Sequence, residues 1–221
     1  MMRPNPAALP LDLFDEGVRN VPLGDGAVLL GGFARPIDAA LLEALADIAR
    51  DAPFRHMVTP GGWSMSVAMT NCGDAGWVSD RSGYRYDPID PVAGLHWPPM
   101  PIVFSDLASR AAEVAGFAGF APDACLINRY QPGSRLSLHQ DRNERGFDSP
   151  IVSVSLGLPA TFLWGGQSRV VRPRRVPLVH GDVVVWGGAA RLTFHGVYPL
   201  AEGCHPLTGD VRYNLTLRRA T

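Results

Sequence analysis

A mainly β chain with two helices, its second half a jelly roll or barrel, is the fold class the sequence predicts. Three observations point there. Twenty-four Gly and 20 Pro in 221 residues favour many turns. From Ala124 onward, eight short strand-like runs alternate with turns. Ahead of them, two stretches carry helical periodicity.

Taken in order, residues 1–35 read as an irregular lead-in with one short strand, Ala27 to Leu30. Asp38 is placed to cap a helix running to about Arg50, with Leu41, Leu42, Leu45 and Ile48 on one face. A second helix is expected from about Ile102 to Ala115, stopped by Gly116. Between them, residues 56–100 are rich in Gly, Pro and aromatic side chains, and Met65 to Thr70 alternates weakly, as a hairpin strand does. The eight later runs are Cys125 to Tyr130, Leu136 to Asp141, Ile151 to Leu158, Thr161 to Trp164, Arg169 to Val179, Asp182 to Trp186, Arg191 to Tyr198 and Arg212 to Arg218.

Composition narrows the function classes. At 46% apolar and 19% charged residues the chain can bury a core and is not a disordered segment. The first residues carry no basic stretch followed by an apolar one, and no apolar run approaches 18 residues, so a soluble, cytoplasmic protein without a membrane partner is expected. Cys72, Cys125 and Cys204 form no spaced pair and read as reduced thiols, neither a disulfide nor a zinc framework. No feature points to an oligomer, and a monomer is expected. All 20 basic residues are Arg. Residues 1–128 carry 8 Arg and 15 acids, whereas residues 129–221 carry 12 Arg and 6 acids. The Arg169, Arg172, Arg174 and Arg175 cluster within the basic half suits phosphates, but it also suits a solvated strand edge.

One constellation carries chemistry. His139 and Asp141 are two apart and share a face of a strand, and His195 lies on a later strand that can approach across a barrel. Two histidines and one carboxylate can hold one face of an octahedral iron and leave the other open to cosubstrate and O2. An ordinary surface His-x-Asp with a half-buried His195 fits the same pattern. The last strand alternates strictly, with Arg212, Asn214, Thr216 and Arg218 on one face and Tyr213, Leu215 and Leu217 on the other. Either face could be inward; an inward arginine would need an anion, and a guanidinium matches a carboxylate through two hydrogen bonds. Asn128-Arg129-Tyr130 is a further polar trio, in which Asn128 and Tyr130 share a face.

Five segments carry a resemblance. They are MVTPGGWSMSVAMTNCG (57–73), PDACLINRYQPGSRLSLHQD (122–141), PIVSVSLGLPA (150–160), HGDVVVWGG (180–188) and HPLTGDVRYNLTLR (205–218). With them the chain resembles the AlkB family of Fe(II)- and 2-oxoglutarate-dependent dioxygenases, over nearly its whole length from about residue 11. The resemblance implies a double-stranded β-helix (jelly-roll) dioxygenase core over residues 121–221. It implies N-terminal helices and a nucleotide-recognition lid over residues 1–120.

It also implies roles. His139, Asp141 and His195 match the iron ligands. Arg212, helped by Asn214 and Tyr130, matches the arginine that pairs with the distal carboxylate of 2-oxoglutarate; Asn128 and Arg218 match residues near its chelating end, and Arg129 belongs to the same set. Trp77 and Tyr84, with His139, match residues enclosing the damaged base, Met69 a lid residue near it, and Arg169 an arginine near the substrate. The implied reaction is oxidative dealkylation of N-alkylated bases of the 1-methyladenine and 3-methylcytosine type, with O2 consumed and formaldehyde and succinate released. The implied partner is alkylated single-stranded DNA, with duplex DNA and RNA as further substrates. One position departs: the family has an aspartate two residues after the ligand aspartate, and here it is Asn143, which keeps an acceptor oxygen but lacks the charge. A hydroxylase of small molecules or proteins would need neither the aromatic pair nor the arginines. A non-catalytic binding module would not need the His-Asp-His set.

Overall fold

Eight strands form one sheet and four form another, and the space between them becomes the site. The computed structural model describes residues 20–221. In chain order the strands are β1 (Asn20–Gly24), β2 (Ala27–Leu30), β3 (Arg55–Val58), β4 (Ser64–Gly73), β5 (Gly76–Asp80), β6 (Gly83–Asp87), β7 (Ala124–Tyr130), β8 (Leu136–His139), β9 (Ile151–Gly157), β10 (Ala160–Trp164), β11 (Arg174–Leu178), β12 (Val183–Trp186), β13 (His195–Val197) and β14 (Arg212–Arg218). Helices α1 (Asp38–Asp51) and α2 (Ile102–Val114) precede β3 and β7 respectively. The large sheet runs β1-β2-β12-β9-β14-β7-β4-β3, the small one β11-β10-β13-β8, and β5-β6 is a separate hairpin. The expected mainly β jelly roll is thus present.

Period-2 alternation sorts the large sheet into two faces. Leu215 and Leu217 of β14, Cys125 and Ile127 of β7 and Val152 and Val154 of β9 pack with Leu41, Leu45, Phe104 and Leu107 of the helices. The opposite face packs on the small sheet through Leu126, Tyr130, Phe162, Trp164, Trp186 and Val197. Once the helices cover the apolar face of β14, its arginines must point between the sheets. The alternative with the arginines in water is excluded: Arg212 and Arg218 are buried.

Several elements differ from expectation. Asn20–Gly24 is a strand, because it pairs along β2; the lead-in expected before residue 20 lies outside the described residues. Asp38 does not cap α1. Ile37 holds that position without a side-chain cap, and the Asp38 carboxylate accepts a hydrogen bond from His180 Nε2 at 2.9 Å. β8 ends at His139, leaving Asp141 beyond the strand, and the Arg169 and Arg191 runs shorten to β11 and β13. The Gly- and aromatic-rich stretch contains β3 and the β5–β6 hairpin, with Trp77 opposite Tyr86 and Ser79 opposite Tyr84. Asn71 pins that hairpin to β4: its Nδ2 donates to the Trp77 carbonyl at 3.0 Å and its Oδ1 accepts from the Trp77 amide at 2.9 Å. Among the described residues no helix is long and apolar enough to cross a membrane.

Candidate active site between the sheets

The small sheet brings the two histidines together. His139 of β8 and His195 of β13 are directly paired residues, with ring centroids 4.5 Å apart. Gly196 permits this approach, since a Cβ there would sit 2.7 Å from the Leu136 carbonyl oxygen. Each ring has its Nδ1 against a backbone carbonyl, Ser137 O at 2.8 Å for His139 and Thr193 O at 2.9 Å for His195. A carbonyl only accepts, so Nδ1 carries the proton and Nε2 keeps a lone pair facing Asp141. Both Nε2 atoms lie 3.7 Å from an Asp141 oxygen. All three ligand atoms fall within 4.8 Å of one another; among the described residues it is the one His, Cys, Asp or Glu cluster able to hold a metal ion. Burial, then neighbouring His139, pushes the His195 imidazole down to about 4. Burial alone would raise the Asp141 carboxyl, but the Arg218 guanidinium foremost, with the adjoining His195 and His139 rings, outweighs it and holds the group well below the usual carboxylate range.

Behind Asp141 stands a buried ionic network. Arg218 Nη2 and Nε donate to Asp141 Oδ2 at 2.7 and 3.1 Å. Arg218 Nε also lies 3.3 Å from Glu144 Oε1, and Arg191 Nη2 lies 3.2 Å from Glu144 Oε2. Arg191 Nη1 donates to the Asp141 carbonyl at 2.8 Å. The Tyr86 hydroxyl donates to Glu144 Oε1 at 2.9 Å and accepts from Arg218 Nη1 at 3.2 Å. Two guanidinium groups thus face two carboxylates, as charges out of water require. Sequence reasoning missed Tyr86, Glu144 and Arg191. The one available signal was Tyr84-x-Tyr86, whose spacing puts both tyrosines on one face of β6.

At the other end of the cleft the polar groups lack partners. Arg212 is fully buried with its guanidinium 5.0 Å over the Tyr130 ring. Its Nη2 donates to Ser155 Oγ at 3.0 Å, but Nε and Nη1 have no partner. The Tyr130 hydroxyl and Asn128 Oδ1 are equally buried and unpartnered. Burial pushes the Tyr130 hydroxyl up to about 12, against the pull of Arg212. Asn214 is held by Ser153 Oγ and the Val154 carbonyl at 2.8 and 3.0 Å, and its Oδ1 accepts from Asn128 Nδ2 at 3.3 Å.

One cavity of about 720 Å³ joins the two ends and opens past the β5–β6 hairpin. His139, Asp141, His195, Asn128, Tyr130, Arg212, Asn214 and Arg218 line it, as do buried Met69 and the more exposed Trp77, Tyr84 and Arg169. Trp77 and Tyr84 stack, with centroids 5.6 Å apart and rings 15° from parallel. Asn143 does not line the cavity; its Oδ1 accepts from Trp77 Nε1 at 3.1 Å. Arg129 stays out of the site, on the opposite face of β7 from its two neighbours, with its guanidinium 4.8 Å over the Phe54 ring. Arg218 contacts Asp141 where the sequence reading placed it near the cosubstrate. Arg175 turns onto the Tyr198 ring.

Comparison with known proteins first defines the class: the model of the 2OG-Fe(II) oxygenase superfamily matches residues 26–218. Alpha-ketoglutarate-dependent dioxygenase AlkB of Escherichia coli (strain K12) is 56% identical over 211 residues, covering 95% of this chain and 98% of that protein. The nucleic acid dioxygenase ALKBH1 of Mus musculus is 35% identical over 121 residues, 55% of this chain and 31% of its own. The solved structure of OsALKBH1 is similar at a TM-score of 0.81 and 28% identity, covering 91% of this chain and all of that one. The chain belongs to the AlkB family of alpha-ketoglutarate-dependent dioxygenases, enzymes that use Fe(II), 2-oxoglutarate and O2.

The residues present fit these cofactors. Two imidazoles with their Nε2 atoms toward Asp141, and its carboxylate, are a donor set suited to Fe(II) with open positions. Arg212 Nε and Nη1 and the Tyr130 hydroxyl lack an acceptor, and the far carboxylate of 2-oxoglutarate is one.

Proposed function

We propose that this enzyme removes N-alkyl groups from 1-methyladenine- and 3-methylcytosine-type bases in nucleic acid, as a DNA oxidative demethylase. Single-stranded DNA is its main substrate, with duplex DNA and RNA as further ones, and it acts as a cytoplasmic monomer. The stacked Trp77–Tyr84 pair at the mouth of the cavity that holds His139 and Arg212 carries the reading. A flat, aromatic-walled mouth accepts a base turned out of its stack, and turning out costs least in a single strand or at a lesion. Mouse ALKBH1 is by name a nucleic acid dioxygenase, which supports the same substrate class.

In this reading the β5–β6 hairpin within residues 1–120 supplies the recognition lid, while β1 to β4 of that stretch complete the large sheet of the dioxygenase barrel that residues 121–221 chiefly build, so the sequence boundary at 120 does not separate lid from barrel. His139, Asp141 and His195 hold the iron, while Arg212, Tyr130 and Asn214 hold the far carboxylate of 2-oxoglutarate, with Asn128 near its chelating end. Bound together, Fe(II) and 2-oxoglutarate supply with O2 the oxidation of an N-methyl to an N-hydroxymethyl group; formaldehyde, succinate and CO2 leave and the base is restored. Trp77, Tyr84 and Met69 orient the base and keep bulk water from it, and Arg169 attracts the strand's phosphates. Asn143 has its acceptor oxygen turned to Trp77, so it acts on the base by setting the Trp77 ring.

Formaldehyde release from a single-stranded oligonucleotide carrying 1-methyladenine, with Fe(II) and 2-oxoglutarate, tests this. Release that requires the lesion is the expected result; succinate formation indifferent to the lesion would reject the substrate assignment.

A further inference from the structure

The hairpin that carries Trp77 and Tyr84 also carries Tyr86, and Tyr86 reaches the metal end. Its hydroxyl accepts from Arg218 Nη1 at 3.2 Å, and Arg218 holds Asp141 Oδ2 through two nitrogens at 2.7 and 3.1 Å. A single side chain therefore separates the hairpin from the carboxylate of the His-Asp-His cluster. Glu144 closes the arrangement, accepting from the Tyr86 hydroxyl at 2.9 Å while lying 3.3 Å from Arg218 Nε. A parallel tie runs from Trp77 Nε1 to Asn143 Oδ1 at 3.1 Å, and Asn143 lies in the segment joining Asp141 to Glu144. Both ties start on one hairpin and end on one four-residue stretch.

The groups leave little slack. Asp141, Glu144 and Arg218 have almost fully buried side chains, so each hydrogen bond lost leaves a polar atom without water to replace it. Without the Tyr86 hydroxyl, Arg218 Nη1 loses its acceptor and Glu144 Oε1 loses a donor. The shortest way to satisfy both is a swing of Arg218 toward Glu144, which slackens its hold on Asp141 Oδ2. Displacing the hairpin removes the hydroxyl just as a mutation does.

We propose that Tyr86 is a positioning residue through which occupancy of the hairpin and metal affinity at Asp141 become one linked equilibrium. The proposal rests on the reading of the β5–β6 hairpin as a substrate lid. Nucleic acid that stacks on Trp77 and Tyr84 fixes the hairpin, hence Tyr86, Arg218 and the Asp141 carboxylate, and metal affinity rises. By reciprocity, bound metal strengthens nucleic-acid binding by the same factor. The enzyme thereby holds its metal best when a substrate is present to be oxidised.

The test uses Mn(II), a redox-silent probe followed by its free-ion paramagnetic resonance. It is titrated into the full chain with 2-oxoglutarate, with and without the 1-methyladenine oligonucleotide. In the wild type the oligonucleotide should tighten Mn(II) binding by on the order of 10-fold. Tyr86→Phe, which deletes one oxygen, should weaken Mn(II) binding without oligonucleotide by roughly 10-fold and bring the oligonucleotide's effect close to none. A purely structural tyrosine would lower the melting temperature yet leave the oligonucleotide's factor intact, and that result overturns the proposal. So does a wild type that binds the oligonucleotide with no change in Mn(II) affinity. If the wild type binds no oligonucleotide, the lid reading fails instead. The oligonucleotide-free titration then decides Tyr86, since an unchanged Mn(II) affinity in Tyr86→Phe rejects its positioning role.

Discussion

The two ends of the cavity are both built from buried charge, yet at one the charges are paired within the protein, with Glu144 Oε2 held by an ion pair alone, and at the other they are not. At the metal end Arg218 and Arg191 face Asp141 and Glu144, and the Tyr86 hydroxyl bridges them. At the far end Arg212 has two guanidinium nitrogens without an acceptor, beside an unpartnered Tyr130 hydroxyl and Asn128 oxygen. A buried polar atom without a partner costs roughly 1–3 kcal/mol, more if charged. The first end is therefore a preassembled holder whose charges balance internally. The second is a receptor whose missing counter-charge is brought by an acidic ligand, and the dicarboxylate cosubstrate of the family supplies it.

Removing a charge from each end should have opposite consequences. The largest effect is expected at the preassembled end: His139→Ala or Asp141→Ala should reduce lesion-dependent formaldehyde release to background and abolish Mn(II) binding. Retained activity in either would remove that residue from the metal set. Next, Arg218→Met strips the Asp141 carboxylate of its cation and leaves Glu144 with Arg191 alone. Urea unfolding should show a loss of about 3–5 kcal/mol, the cost of breaking a buried ionic group on one side; a loss under 1 kcal/mol would mean the network is not load-sharing. At the receptor end, Arg212→Ala should raise the 2-oxoglutarate concentration needed for half-maximal turnover by ~10–100-fold, from the loss of charge-assisted hydrogen bonds. An unchanged requirement places the carboxylate elsewhere. The smallest effect is expected at the mouth. Asn143→Asp keeps the acceptor for Trp77 and adds a negative charge. It should favour cationic 1-methyladenine and 3-methylcytosine over neutral etheno adducts by a few-fold, on the order of one charge interaction near a protein surface. Equal relative rates would show that this position does not set lesion preference.

The sequence made these ends legible to different degrees. Arg212 to Arg218 alternates so strictly that β14 occupies the expected range, but a period of two cannot say which face is inward. That choice came from α1 and α2 covering Leu215 and Leu217. The same rule that put Asn128 and Tyr130 on one face excludes Arg129 from it, and the structure follows the rule. The His-x-Asp pair was legible as a pair, although β8 ends at His139 and Asp141 is held by Arg218 and not by strand geometry. Of the metal-end network the sequence showed Asp141 and Arg218 but not the contacts that join them to Tyr86, Glu144 and Arg191. Tyr86 meets an arginine 132 positions away and Arg191 a glutamate 47 positions before it, contacts no local pattern encodes. Asp38 shows the converse: a good helix-start signal was overridden because His180 offered its carboxylate a hydrogen bond across the fold.

The contrast between the ends is tested most directly by thermal denaturation of the wild type and Arg212→Met, each with and without saturating 2-oxoglutarate and Mn(II). Methionine fills similar space without a charge, so without ligand the variant should melt no lower than the wild type. 2-Oxoglutarate should raise the wild-type melting temperature over Mn(II) alone and leave the variant nearly unmoved. A variant that melts well below the wild type without ligand, or that gains the wild-type shift from 2-oxoglutarate, would contradict the account.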